Sequence, residues 1–131
     1  MEIIINGVTL QGDFMDADFM EVFEKATRKM QDKALVCQRK QYSSVAEGYR
    51  EQCEVVDEYF DDIFGPGTAV EIFAGAEHNI MTHLTAVEEL TDQGMAAKKT
   101  LNDFTNKYTQ RQNAQLQRGR NQQVVSGKKH R

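Results

Sequence analysis

One corner limits the folds open to this chain more than any other stretch. It lies in "EYFDDIFGPGTAVEIFAG", residues 58 to 75, and holds the only proline of the 131 residues. Two readings compete for Gly65-Pro66-Gly67-Thr68: a phosphate-cradling loop opening onto a helix, or a corner between helices. A phosphate loop needs Gly-x4-Gly-Lys-Ser/Thr after a strand, with the Lys neutralising phosphate charge. Here the preceding segment has helical periodicity and no Lys follows. Asp57, Glu58, Asp61, Asp62 and Glu71 crowd the turn and repel polyanions. The corner reading gives every residue a local task. Gly65 supplies the left-handed position that closes a helix, and Pro66 stops that helix from continuing. Thr68 caps a short helix with Val70, Ile72 and Phe73 on its inner face, and Gly75 ends it.

Around this corner the apolar spacing sets out the remaining elements. In "EIIINGVTL" (residues 2 to 10), Asn6-Gly7 can take the two positive φ angles of a type I′ turn between β-branched residues. This predicts a hairpin with Ile3 and Ile5 on one face and Ile4 on the other. Two strands alone are marginal, so they must pack on helices or pair with another chain. Asp16 or Asp18 then caps a helix in which Phe19, Phe23, Ala26 and Met30 recur at steps of four and three, running to about Arg39. Ser43-Ser44 starts a second helix, with Val45, Tyr49, Cys53, Val56, Phe60 and Ile63 as its stripe. A third long helix begins near Asn79, with Ile80, Leu84, Val87 and Leu90 inward, a soft point at Gly94, and Met95, Leu101, Phe104 and Tyr108 beyond. After Tyr108 the pattern fades into a Gln-, Asn- and Arg-rich segment with too few apolar residues to offset ordering entropy. The expectation is a mainly α (α+β) chain: an N-terminal β-hairpin, three long helices and one short one. A single helical domain spans 1–111, and a flexible basic C-terminal tail spans 112–131.

Composition narrows the class. Forty per cent of residues are apolar, and a chain of this length buries roughly two thirds of its unfolded surface without needing a disulfide or a metal. Cys37 and Cys53 sit in helical segments with no Cys-x-x-Cys or Cys/His pairing, which predicts reduced, packed thiols. No apolar run approaches the roughly 20 residues that cross a bilayer. The N-terminus lacks the basic region and apolar stretch of a signal peptide. The expected location is the cytoplasm, with no membrane partner. Charge is divided unevenly. Up to Thr105 there are 9 Lys and Arg against 20 Asp and Glu; from Asn106 onward there are 7 basic residues and no acidic one.

Catalytic signals are sparse. His78 and His83 are five apart, on different sides of a helix, whereas a metal pair on one helix needs a spacing of three or four. Asp57-Glu58-Asp61-Asp62 and Glu88-Glu89 read as solvated faces, and Ser43, Ser44 and Ser126 lie in no nucleophile-elbow setting. No catalytic residue, metal or cofactor is expected. The basic tail offers Lys107, Arg111, Arg118, Arg120, Lys128, Lys129 and Arg131 for salt-dependent contact with phosphates. Tyr108 is the only aromatic nearby, which gives little stacking support for nucleic acid. The tail can instead serve solubility or dock on the acidic body of a neighbouring subunit.

The N-terminal "EIIINGVTL", the acidic helix start "DFMDADFMEVFEKA", the mid-chain "CEVVDEYFDDIFGPGTAVEIFAG" and the late "LNDFTNKYTQRQNAQLQRGR" together give a layout over most of residues 1–110. That layout resembles small phage tail-assembly proteins encoded near the tape-measure gene in phages and prophages of Gram-positive bacteria. The resemblance implies a non-enzymatic chaperone that keeps the long hydrophobic tape-measure protein soluble while tail-tube subunits polymerise, and that is absent from the finished virion. It brings no motif residues with assigned roles. The residues expected to touch a partner come from physical reasoning: Phe19, Phe23, Tyr59, Phe60, Ile72 and Phe73 in helix-groove contacts. Homo-oligomers are expected, because a two-stranded hairpin with open edges invites association. One competing function is an inhibitor of a host defence nuclease presenting an acidic surface that includes Asp57, Asp61 and Asp62. Another is a nucleic-acid-binding module using the tail.

Overall fold

The computed structural model describes the backbone of residues 1–129 and the side chains of residues 1–117. It falls into two units, Met1–Ala97 and Lys98–Arg131. Strands β1 (Glu2–Ile5) and β2 (Val8–Gln11) pair antiparallel, with Ile3 opposite Leu10 and Ile5 opposite Val8. The turn between them has φ of 49° at Asn6 and 77° at Gly7, the pair of positive values that Asn-Gly tolerates best. Ile3, Ile5 and Leu10 are buried and Ile4 is exposed, so the expected alternation holds.

The free edge of β1 is not fully open. Gln93 accepts from the Ile4 amide at 3.0 Å and donates to the Ile4 carbonyl at 2.8 Å. Glu89 accepts from the Asn6 amide, and the Asn6 side chain donates to the Ile72 carbonyl. This narrows the open-edge argument for association along β1: at its middle, Ile4, a side chain from later in the chain already bonds both outward backbone groups.

Helix α1 (Ala17–Arg39) starts where Asp16 accepts from the Phe19 amide. Helix α2 (Val45–Phe64) starts where Ser44 accepts from the Glu47 amide. The two helices pack on each other, and charged side chains along their line of contact bind across it. Lys29 reaches Glu58 and Asp62, Lys33 reaches Glu58, and Lys40 reaches Glu51. Thr27 and Tyr59 hydroxyls meet at 2.9 Å. Cys53, Val56, Phe60 and Ile63 are buried as their spacing predicts. Val45 and Tyr49, in the first turns of the same stripe, are exposed instead. Cys37 and Cys53 are free and buried.

The Gly65 corner is a helix-to-helix turn. Gly65 and Gly67 have φ of 108° and 89°, and α3 (Thr68–Ile72) follows at once. Two local expectations are corrected. Thr68 does not cap; its hydroxyl donates back to the Gly65 carbonyl, and the Ala69 amide goes to Asp61 of the preceding helix. Val70 faces outward, and the inner face is Ala69, Ile72 and Phe73, because α3 is too short to carry a full stripe.

Helix α4 (Ile80–Lys129) opens with Asn79 accepting from the Thr82 amide. Its inward residues within the first unit are His83, Ala86 and Leu90, all without exposed surface, while Leu84 is about half exposed. The predicted face is rotated, with His83 in a place the apolar pattern assigned to Leu84. Gly94 does not break α4. A Cβ there would lie 3.3 Å from the Phe14 ring, so the glycine lets that ring approach the helix backbone closely. The core unit ends at Ala97, short of the expected 111, since every side chain from Lys98 to Gln117 is exposed. The helix itself continues past residue 112 to Lys129, further than the fading periodicity predicts. The expected flexibility of the last residues falls on side chains outside the described set.

Candidate interaction surface

An aromatic wall runs through the first unit. Phe14 meets Phe19 and Phe23 edge-on at 5.4 and 5.3 Å, and Phe60 meets Tyr59 and Phe73 edge-on at 5.5 and 5.8 Å. These are the offsets that aromatic quadrupoles favour. Tyr59, Phe60, Ile72 and Phe73, expected at a partner, are core residues with 2 % exposure or less. They hold α2, α3 and the hairpin together. Phe19 and Phe23 are half-buried against the same core and keep some accessible surface.

Next to this wall is a polar pair that the sequence did not flag. His83 has no exposed surface, lies 3.7 Å from the Phe73 ring in a stacked arrangement, and uses both ring nitrogens. Nδ1 is 2.8 Å from the Asn79 carbonyl, which can only accept, so Nδ1 carries a proton. Nε2 is 2.9 Å from Asp57 Oδ1, and one further proton lies between them. Burial raises the Asp57 carboxyl above its ordinary value, and the bond from His83 works against that rise. The imidazole has no solvent-facing atom, while the Asp57 side chain is 38 % exposed, so the pair ties α2 to α4 from the edge of the core. The signal for it was the spacing of residues 83, 86 and 90 on one helical face.

The three acidic residues expected at a surface all have partners within the fold. Asp57 holds His83, Asp61 accepts from the Ala69 amide, and Asp62 pairs with Lys29. Of the tail residues, Lys107 and Arg111 are exposed on α4. The side chains of Arg118, Arg120, Lys128 and Lys129, and all of Arg131, lie outside the described residues. Among the described residues no group of three or more His, Cys, Asp or Glu is placed to hold a metal ion. Among the same residues no helix is long and apolar enough to cross a membrane.

Two accessible apolar features stand out among the described residues. One is a groove of about 340 Å³ between three helices of the first unit. Met30, Ala34 and Cys37 of α1, Val55 and Val56 of α2, and Leu84 and Val87 of α4 line it, with Gln31, Gln38 and Gln52 completing the lining. It contains no charged residue, although Glu54 and Glu88, sequence neighbours of its lining valines, are exposed. The groove was not legible in advance, because its residues come from three stripes whose relative rotation only the packed fold sets. The other is the face of α4 bearing Leu101, Phe104 and Tyr108, each between 47 % and 69 % exposed. Apolar side chains at this helical spacing form one stripe.

No curated protein and no solved structure matches the chain. A family model described as a family of unknown function, DUF6673, matches residues 6–123. That span takes in the hairpin turn, the aromatic wall, the groove and the exposed stripe of α4, and the chain belongs to the DUF6673 family.

Proposed function

We propose that this chain is a non-catalytic assembly protein that shelters an apolar helical segment of a client, in the manner of a phage tail-assembly chaperone acting on a tape-measure protein in the host cytoplasm. The observation that supports this reading is the uncharged groove between α1, α2 and α4. Helix-in-groove recognition needs an apolar trough that seats side chains from one face of a helix. Met30 at its wall adapts to irregular partners. The acidic balance of Met1–Ala97, 19 Asp and Glu against 7 Lys and Arg, keeps a complex with an apolar client soluble. The client recognition surface is thus the groove, with half-buried Phe19 and Phe23 as secondary apolar surface elsewhere on the first unit; Tyr59, Phe60, Ile72 and Phe73 belong to the core.

The test is co-expression of the full chain with a phage tape-measure protein, scored by soluble yield and co-elution. The wild-type chain is expected to hold the client in the soluble fraction. Ala34→Glu, which places a charge in the groove at an exposed helical position, is expected to abolish co-elution while leaving the circular dichroism melt unchanged. Equal yield of soluble client with and without the chain would overturn the proposal.

A further inference from the structure

We infer that the groove of one copy receives the Leu101–Tyr108 stripe of α4 from a second copy, so that the protein self-associates head to tail. The inference stands on this chain alone and does not require the client reading. Three observations carry it.

The first is matched length. Met30, Ala34 and Cys37 line the α1 wall of the groove at i, i+4 and i+7, and Leu101, Phe104 and Tyr108 stand at i, i+3 and i+7. Seven helical steps of 1.5 Å make each feature about 10 Å long. Small Ala34 leaves room at the middle of the wall, opposite the position where the Phe104 ring would sit.

Charge gives the second argument. Met1–Ala97 carries 7 basic and 19 acidic residues, a balance of −12; Lys98–Arg131 carries 9 basic and 1 acidic, a balance of +8. Opposite fields draw the helix of one copy to the body of another and set which surface it finds.

The third excludes the simplest alternative, a symmetric pairing of two α4 helices. Continued at coiled-coil spacing, the stripe beyond Tyr108 would next use Arg111 and Gln115. The seam therefore ends after two turns, and two segments of +8 would be set side by side. A heterologous contact, groove to stripe, avoids both problems. By its symmetry it makes rings or open chains rather than an isolated pair.

Sedimentation of the full chain over a range of concentrations tests this, using two variants at exposed sites. Phe104→Glu damages the stripe and keeps the groove; Ala34→Glu damages the groove and keeps the stripe. The wild-type chain is expected to form species larger than a monomer, more weakly as salt rises. Each variant alone is expected to lose at least about 30-fold in association, the scale of a central aromatic contact. Mixed together, the two variants retain one intact groove and one intact stripe, so they are expected to form a one-to-one dimer that cannot grow. A monomeric wild-type chain would overturn the inference. So would an Ala34→Glu variant that still dimerises, the outcome for symmetric α4 pairing, or a mixture that stays monomeric. Retained client binding by a monomeric wild-type chain would separate failure of this inference from failure of the chaperone reading.

Discussion

Phe60 and Phe104 are the same residue at the same kind of position, an apolar stripe on a long helix, yet one is fully buried and the other is 69 % exposed. The difference lies in what the rest of the chain provides. Phe60 has Tyr59, Phe64 and Phe73 around its ring, whereas the segment Lys98–Gln117 shows every side chain exposed. Periodicity records which face of a helix is apolar and does not record whether an element exists to cover it. In Met1–Ala97 the coverage comes from the same chain. In Lys98–Gln117 the helix relies on short-range pairs such as Lys99 with Asp103 and Gln112 with Tyr108. Such pairs contribute only about 0.2–0.5 kcal/mol each.

Substitution of the two phenylalanines gives the widest expected separation. Phe60→Ala should cost about 3–5 kcal/mol in denaturant unfolding, while Phe104→Ala should stay within about 0.5 kcal/mol for the monomer. Equal effects would erase the distinction between the regions. The polar pair comes next. His83→Leu keeps the volume but removes the imidazole bond to the partly exposed Asp57 carboxylate, while the Asn79 carbonyl still accepts from the backbone amide at position 83, and is expected to cost about 1 kcal/mol near neutral pH. The variant also has a signature in pH. Burial raises Asp57, and removing His83 takes away the main interaction that opposes that rise. A carboxyl whose folded pKa lies above its unfolded one favours the fold at acid pH and loses that contribution as pH rises through the folded value. The penalty of His83→Leu should therefore shrink on acidification. An unchanged penalty across pH 3–7 would remove Asp57 from the account.

Surface charge pairs provide the smallest contrast. Hydrogen bonds from Lys29 and Lys33 hold the Glu58 carboxyl below its ordinary value. Its contribution is present above the unfolded carboxylate pKa and is lost as pH falls through the lower folded one. Because the pair is partly solvated, Glu58→Gln should cost less than about 1 kcal/mol at pH 7 and flatten the acid limb of the stability profile. Asp103→Asn, in the exposed segment, should change the melt by no more than a few tenths of a kcal/mol.

Local chemistry made much of the fold legible. Asn6-Gly7, Asp16, Ser44 and Gly65 each have a backbone task that few residues perform, and each performs it at the expected position. The errors came where a side chain's role is set by elements distant in sequence. Thr68 looked like a cap until Asp61 of the previous helix took the Ala69 amide. Leu84 fitted the apolar spacing of α4, but the buried place goes to His83, which has Asp57 and the Asn79 carbonyl both within reach. Four of the aromatic and aliphatic residues marked for a partner proved to be the core itself. Candidates for binding are instead the stripes that the fold leaves uncovered.

The bond between Gln93 and Ile4 has a consequence for biosynthesis. The hairpin leaves the ribosome ahead of the helices that follow it, yet the side chain that bonds Ile4 on the outer edge of β1 is encoded almost ninety positions later. At about 5–20 residues per second, the interval from Ile4 to Gln93 is roughly 4–18 s. For that time the nascent strand presents unpaired amide and carbonyl groups to whatever is nearby, including its counterparts on the same polysome. The edge is bonded at Ile4 in the finished molecule and open during its making, so a slow codon before Gln93 would lengthen the window in which misassembly begins.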